Sequence, residues 1–140
     1  MTGSHSVQAE RVVPLSAETI YEAWSAHFEY WFAQEDSIHM APKVGAPFFF
    51  ETEMDGRRHA HYGRFLELVP KERVKMTWMT GDPGTNGAET TVTLDISETS
   101  DGTLVRVTHE GFFDEETAAG HGDAWPIVLE HMESQLTARK

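Results

Sequence analysis

The sequence predicts an α+β fold of six antiparallel strands, two short helical pieces after the first strand, and a long carboxy-terminal helix. Three observations carry the prediction. Residues of alternating polarity recur in successive short segments, Asp-Gly turns separate two pairs of those segments, and apolar residues from Trp125 onward fall at helical spacing. At 140 residues, 39% hydrophobic and 11% aromatic, the chain is long enough to bury a core, and a single domain over residues 1–140 is expected, with residues 1–5 outside its ordered part.

The elements follow in chain order. "SVQAERVVP" alternates loosely and ends at Pro14, which cannot donate to a strand ladder, so it reads as the first strand. Ser16 is a good cap for the helix "AETIYEAWSA", with Glu18 in the first turn and Ile20, Ala23 and Trp24 on one face. "HFEYWFAQE" carries Phe28, Tyr30, Trp31 and Phe32, a density that needs cover, in a second short helical piece. "FFFETEM" sends Phe48, Phe50 and Thr52 one way and Phe49, Glu51 and Glu53 the other. The Asp-Gly of "MDGRR" turns the chain into "HAHYGRFLELVP", where Gly63 could mark a bulge.

"VKMTWMTG" alternates strictly, Val74, Met76 and Trp78 against Lys75, Thr77 and Met79. "AETTVTLDISE" groups Val92, Leu94 and Ile96, and a second Asp-Gly turn leads into "LVRVTHEGF", where Val105, Val107 and His109 share a side. The loop "GDPGTNG" between strands lacks the lysine and following helix of a phosphate cradle. Asp123 caps the last helix and places Pro126 in its first turn, although a start upstream at "DEETAAG" also fits. Val128, Leu129, Met132 and Leu136 continue the apolar stripe from Trp125.

Composition removes whole classes of function. Eleven Lys and Arg stand against 23 Asp and Glu, a net charge of -12, which repels a nucleic-acid backbone. Without cysteine there is no disulfide and no thiol nucleophile. The polar start and the lack of a long apolar run lead us to expect a cytoplasmic protein that is not membrane-bound.

"VVPLSAETIYEAWS", "KVGAPFFFETEMDG", "GRFLELVPKERVKMTW", "TTVTLDISETSDGTLVRVTHEGF" and "AWPIVLEHMESQL", taken in order, resemble the activator of heat shock protein 90 ATPase homologue family. The likeness runs from Val12 to Leu136. It departs from the family at Tyr30-Trp31-Phe32, where a Trp pair is usual, and at Ala124, where Gly is usual. That family belongs to the START-like, polyketide-cyclase-like superfamily, so the resemblance implies a helix-grip fold, in which the curved sheet wraps the last helix. The co-chaperone activity of the eukaryotic namesake needs a further amino-terminal domain, for which a chain of 140 residues is expected to have no room.

The resemblance also implies a site, because in such folds the sheet and last helix leave a gap that takes a small molecule. The lining expected here is Trp24, Trp31, Phe48, Phe50, Tyr62, Trp78, His109, Phe112, Trp125, Leu129 and Met132, unless these pack as solid core. The first functional reading is therefore a binding protein for a small hydrophobic or aromatic molecule, with no cofactor. A cyclase- or hydrolase-like enzyme using His109 or a tyrosine as general acid–base is the second. A chaperone-associated interaction module with an acidic surface is the third, and the chain is expected as monomer or homodimer.

Polar candidates are few. Tyr62 and Arg64 could reach a ligand carbonyl, and His121 joins the Trp125 stripe if the helix extends upstream. His59 and His61, two apart on a strand, could be half a metal site but lack a third ligand and read as a solvated pair near a strand edge. No metal is expected. Asp114 to Glu116 reads as a solvated helix start.

Overall fold

The computed structural model describes residues 3–54, 56–81, 85 and 87–139. Strand β1 (His5–Val13) is followed by helix α1 (Ala17–Ser25), two single 3-10 turns (Phe28–Tyr30 and Glu35–Ser37), strands β2 (Pro47–Met54), β3 (Arg57–Val69), β4 (Arg73–Thr80), β5 (Thr90–Thr99) and β6 (Gly102–Phe112), and helix α2 (Glu115–Ala138). All neighbours are antiparallel, in the order β1-β6-β5-β4-β3-β2. The sheet is open and curved, and α2 lies against its β1–β6 end in the manner of a helix-grip fold. No helix among the described residues is long and apolar enough to cross a membrane.

Period-two alternation fixes which face each strand buries. Val74, Met76 and Trp78 on β4, Val92, Leu94 and Ile96 on β5, and Val105, Val107 and His109 on β6 are all buried. The register aligns them, with Val74 opposite Leu94 and Leu94 opposite Val107. Phe48, Phe50 and Thr52 point inward from β2, and Phe49 stays outside. Ser16 Oγ accepts from the Thr19 amide at 3.1 Å and starts α1, which buries Ile20, Ala23 and Trp24.

Three expectations are corrected. Thr77, expected on the outer face of β4, is buried, because its Oγ1 accepts the Arg64 amide at 2.9 Å where the backbone of Gly63 comes close. A Cβ at Gly63 would stand 2.2 Å from the Thr77 carbonyl oxygen. The register shift of β3 falls between Phe65 and Glu67 and not at Gly63 itself, so Gly63 and Phe65 keep the inward side. The last helix starts at Asp114, whose carboxylate accepts the Thr117 amide at 2.7 Å, so Asp123 and Pro126 lie inside it. Proline there removes one intrahelical bond, and packing holds the helix instead: Trp125, Leu129, Met132 and Leu136 are buried. Gly122 lets α2 settle onto β1, since a Cβ there would lie 3.1 Å from Val7.

Asp55 of the first Asp-Gly turn and Asp82, Pro83, Gly84 and Asn86 of the glycine-rich loop lie outside the described residues. The two strands flanking the first turn are paired from Met54 and Arg57 onward.

Candidate functional site

Five elements bring their aromatics to one place. Trp24 from α1 meets Trp31 from the first 3-10 turn at 5.1 Å between ring centroids, and Trp125 from α2 at 6.1 Å. Trp125 in turn lies 6.0 Å from Trp78 on β4. Phe28 joins the group from below, 4.8 Å from Phe50 on β2 and 6.3 Å from Trp78. Phe48 lies 6.0 Å from Phe50. Rings at such separations touch, so the space between sheet and α2 is occupied by side chains.

Of the residues expected to line that space, Trp24, Trp31, Phe48, Phe50, Trp78, His109, Phe112, Trp125, Leu129 and Met132 are all buried. Tyr62 is not with them. It is 39% exposed on the convex face, because it pairs with outward-facing Phe49 and Met79. There it edges an open groove of about 450 Å³ together with Arg64, Thr77 and Met79. A second open depression of about 420 Å³, along Ser6, Lys75, Thr91 and Glu110, is also convex.

His109 is fully committed. Trp125 Nε1–H donates to His109 Nδ1 at 3.1 Å, which leaves the proton on Nε2, facing Thr90 Oγ1 at 2.7 Å. Thr90 passes its own proton to the Trp78 carbonyl at 2.5 Å. The chain Trp125–His109–Thr90–Trp78 thus ties α2 to three strands and uses both ring nitrogens. Burial, with His121 adding to it, pushes the His109 pKa far below the ordinary histidine value. A ring that is neutral and already bonded at both nitrogens holds no lone pair for a substrate proton, which removes the support for His109 as general base.

His61 departs most from expectation. It shares the inward face with Phe50, against whose ring it stacks at 5.0 Å and 7°, and it meets Phe32 and Trp78 edge-on at 5.5 and 5.3 Å. The sequence "HAH" reads as a solvated pair, yet β3 carries His61 into the aromatic cluster, where it is half-buried. Burial lowers its pKa to about 4, with smaller contributions from His59 and His121, so it is neutral at pH 7. Its Nδ1 lies 3.1 Å from the His59 carbonyl, which fixes the proton on Nδ1 and the lone pair on Nε2.

His121, half-buried on α2, has the same tautomer, its Nδ1 2.9 Å from the Thr117 carbonyl. Its ring sits 5.0 Å from His109 and 4.7 Å from Phe112. Among the described residues no group of three or more His, Asp or Glu is placed to hold a metal ion. Two other indoles are satisfied, Trp24 by Met132 Sδ at 3.1 Å and Trp31 by the Ala23 carbonyl at 3.0 Å.

Comparison with known proteins agrees with this geometry. The family described as Activator of Hsp90 ATPase homolog 1-like protein matches residues 14–137. A crystal structure from Chromobacterium violaceum is 23% identical, with a TM-score of 0.76 over 92% of this chain and 95% of that one. The solution structure of the Aha1 dimer from Colwellia psychrerythraea is 18% identical, with a TM-score of 0.72 over 94% and 96%. DynU16, from the dynemicin biosynthetic locus, is 16% identical, with a TM-score of 0.76 over 96% of this chain and 48% of its own. At these identities the solved structures establish the shared fold. No curated protein matches the sequence.

Proposed function

The chain belongs to the Activator of Hsp90 ATPase homolog 1-like family, and on that premise we propose that it binds a small aromatic molecule between the curved sheet and α2. One observation carries this reading. The aromatic cluster is not sealed: on one side its rings are the half-buried Phe32 and His61, which join Phe50 and Trp78 to solvent. A planar ring entering there replaces ring-to-ring contacts with contacts of the same kind, so little is lost when the rim side chains move aside.

The pairing of aromatic walls with a neutral imidazole suits an uncharged guest. A guest of about a dozen heavy atoms should bind with a Kd on the order of 10–100 µM. The test is a titration with N-phenyl-1-naphthylamine, a neutral apolar dye, followed by its own emission and by quenching of the tryptophans. We expect one saturable site. Emission that rises linearly without saturation, with tryptophan fluorescence unmoved, would remove the reading.

A further inference from the structure

The outer face of the sheet holds apolar surface that the core does not use. Among the described residues seven large hydrophobic side chains are exposed, and four of them, Val44, Phe49, Tyr62 and Leu66, belong to β2, β3 and the loop leading into β2. The register sets Phe49 opposite Tyr62 and Tyr62 opposite Met79, so one apolar row crosses three strands. Along it runs the open groove of about 450 Å³, edged by Pro47, Tyr62, Arg64, Thr77 and Met79. That volume is in the range of small-molecule sites, and a contiguous exposed apolar patch marks a place of contact.

The polar groups of the groove are all donors. No Asp or Glu among the described residues lines it, although the chain carries 23 acids against 11 bases. Arg58, Arg73 and Arg106 on the same sheet are each held by a carboxylate, at 2.6, 2.7 and 2.9 Å. Arg64 has no ion-pair partner among the described residues. Arg57 is also unpaired, but it stands at the hairpin turn, seven residues along β3 from the groove. Thr77 is 3% exposed. Its Oγ1 accepts the Arg64 amide at 2.9 Å, and its hydroxyl proton goes to no residue among those described. A guanidinium without a counter-charge and a nearly buried hydroxyl donor, beside an apolar wall, match an anion with an apolar body.

We propose that this groove is a second binding site, for a small apolar carboxylate. Its head group pairs with the Arg64 guanidinium and accepts from the Thr77 hydroxyl, and its body lies on Tyr62 and Met79. A carboxylate fits the guanidinium fork through two parallel hydrogen bonds. A neutral ring finds no charge partner there, and an anion without a body gains nothing from the apolar row. The site is independent of the aromatic cluster, because successive residues of β3 point to opposite faces: Tyr62 and Arg64 stand outside, His61 and Phe65 inside.

The experiment titrates 2-naphthoate, 2-naphthol and acetate separately into ¹⁵N-labelled protein at pH 7. Backbone amide, indole and arginine Nε–H resonances are followed. The expected result is that 2-naphthoate saturates with a Kd on the order of 0.1–1 mM. It moves the amides of Tyr62, Arg64, Thr77 and Met79 and the Arg64 Nε–H, and leaves the indoles of Trp78 and Trp125 in place. Neither acetate nor 2-naphthol moves those amides to saturation. Arg64→Gln weakens naphthoate binding roughly five- to tenfold, the worth of a partly solvated charged hydrogen bond. The Arg64 side chain is exposed and only its backbone bonds Thr77, so the variant keeps the fold. Arg64→Lys restores part of the loss, since it keeps the charge without the fork.

Naphthoate that moves no groove resonance, that moves the indoles instead, or that binds Arg64→Gln as tightly as the wild type overturns the site. Saturable binding of acetate at the same residues overturns the apolar part of the ligand class. Groove shifts that appear on concentrating the protein alone would mean that a second copy fills the groove, and would overturn it too. The aromatic-cluster reading is decided separately, by the response of the Trp78 and Trp125 indoles to 2-naphthol.

Discussion

Lowering the pH from 7 to 5 should destabilise the fold through its two buried histidines, and the size of the effect follows from their surroundings. His109 is fully buried and His61 half-buried, and burial depresses both pKa values, His61 to about 4 and His109 further. In the unfolded chain a histidine titrates near 6.5, so between pH 7 and 5 the unfolded state takes up a proton that the folded state refuses. Stability therefore falls as pH falls, by about 1.4 kcal/mol per unit once the unfolded imidazole is charged, which integrates to about 2 kcal/mol for His109 over this window. His61 adds a smaller share, because its half-exposure lets solvent offset part of the cost.

Asp36, held down by Arg58, and Asp114, held down by the Thr117 amide, are lowered from 3.8 and lose their contribution only below this range. Urea unfolding followed by tryptophan emission at pH 7, 6 and 5 measures the change. A total of about 2–3 kcal/mol should lower the midpoint by roughly 1–2 M. A midpoint that stays constant or rises between pH 7 and 5 would refute the argument, since it would mean that the rings are not held neutral.

Four further outcomes are expected. Thr90→Val keeps the shape but leaves the His109 Nε2–H and the Trp78 carbonyl without their partner, and should cost about 1–3 kcal/mol in urea unfolding. Phe28→Ala opens a hole where Trp24, Trp31, Phe32, Phe50 and Trp78 meet, and a loss of about 3–5 kcal/mol should show as a Tm lower by ten degrees or so. Gly63→Ala and Gly120→Ala should act in opposite directions in thermal melts. The first drives a Cβ into the Thr77 carbonyl, while the second meets nothing within 4 Å and gains up to about 1 kcal/mol of helix propensity. Arg11→Ala breaks the 2.7 Å pair with Glu133 yet should cost only about 0.2–1 kcal/mol, because both partners are partly solvated and salt screens them.

Local patterns in the chain are read correctly where a single face decides the outcome. Alternation on β4 to β6 tells core from surface at Val74, Leu94 and Val107 because the sheet has one dry face, and Ser16 marks the start of α1 through one hydrogen bond. What depends on distant chain is not legible in the same way. The pairing of β1 with β6 joins residues separated by almost the whole sequence, and no local signal encodes it. Pro126 reads as a helix start by its intrinsic preference, but the packing of Trp125 and Leu129 outweighs one missing bond and a cap at Asp114 begins the helix earlier.

The site shows the same division. Its aromatic members are visible as apolar positions, with Tyr62 misplaced because the inward face of β3 there belongs to His61 and Gly63. His61 escapes notice since two histidines two apart on a strand look like a solvated pair, and only the stacking on Phe50 across the strand pair reveals its place. The commitment of both His109 nitrogens depends on Thr90 and Trp125, which no spacing rule connects to it.

The most direct test of the binding account is the set of four indole N–H resonances, together with the backbone amides, in ¹⁵N-labelled protein, recorded as 2-naphthol is added. The account predicts that Trp78 shifts most, Trp125 follows through its contact with Trp78, and Tyr62 and its neighbours on the convex face stay still. Unmoved indoles, or shifts confined to the groove beside Tyr62 and Arg64, would contradict it.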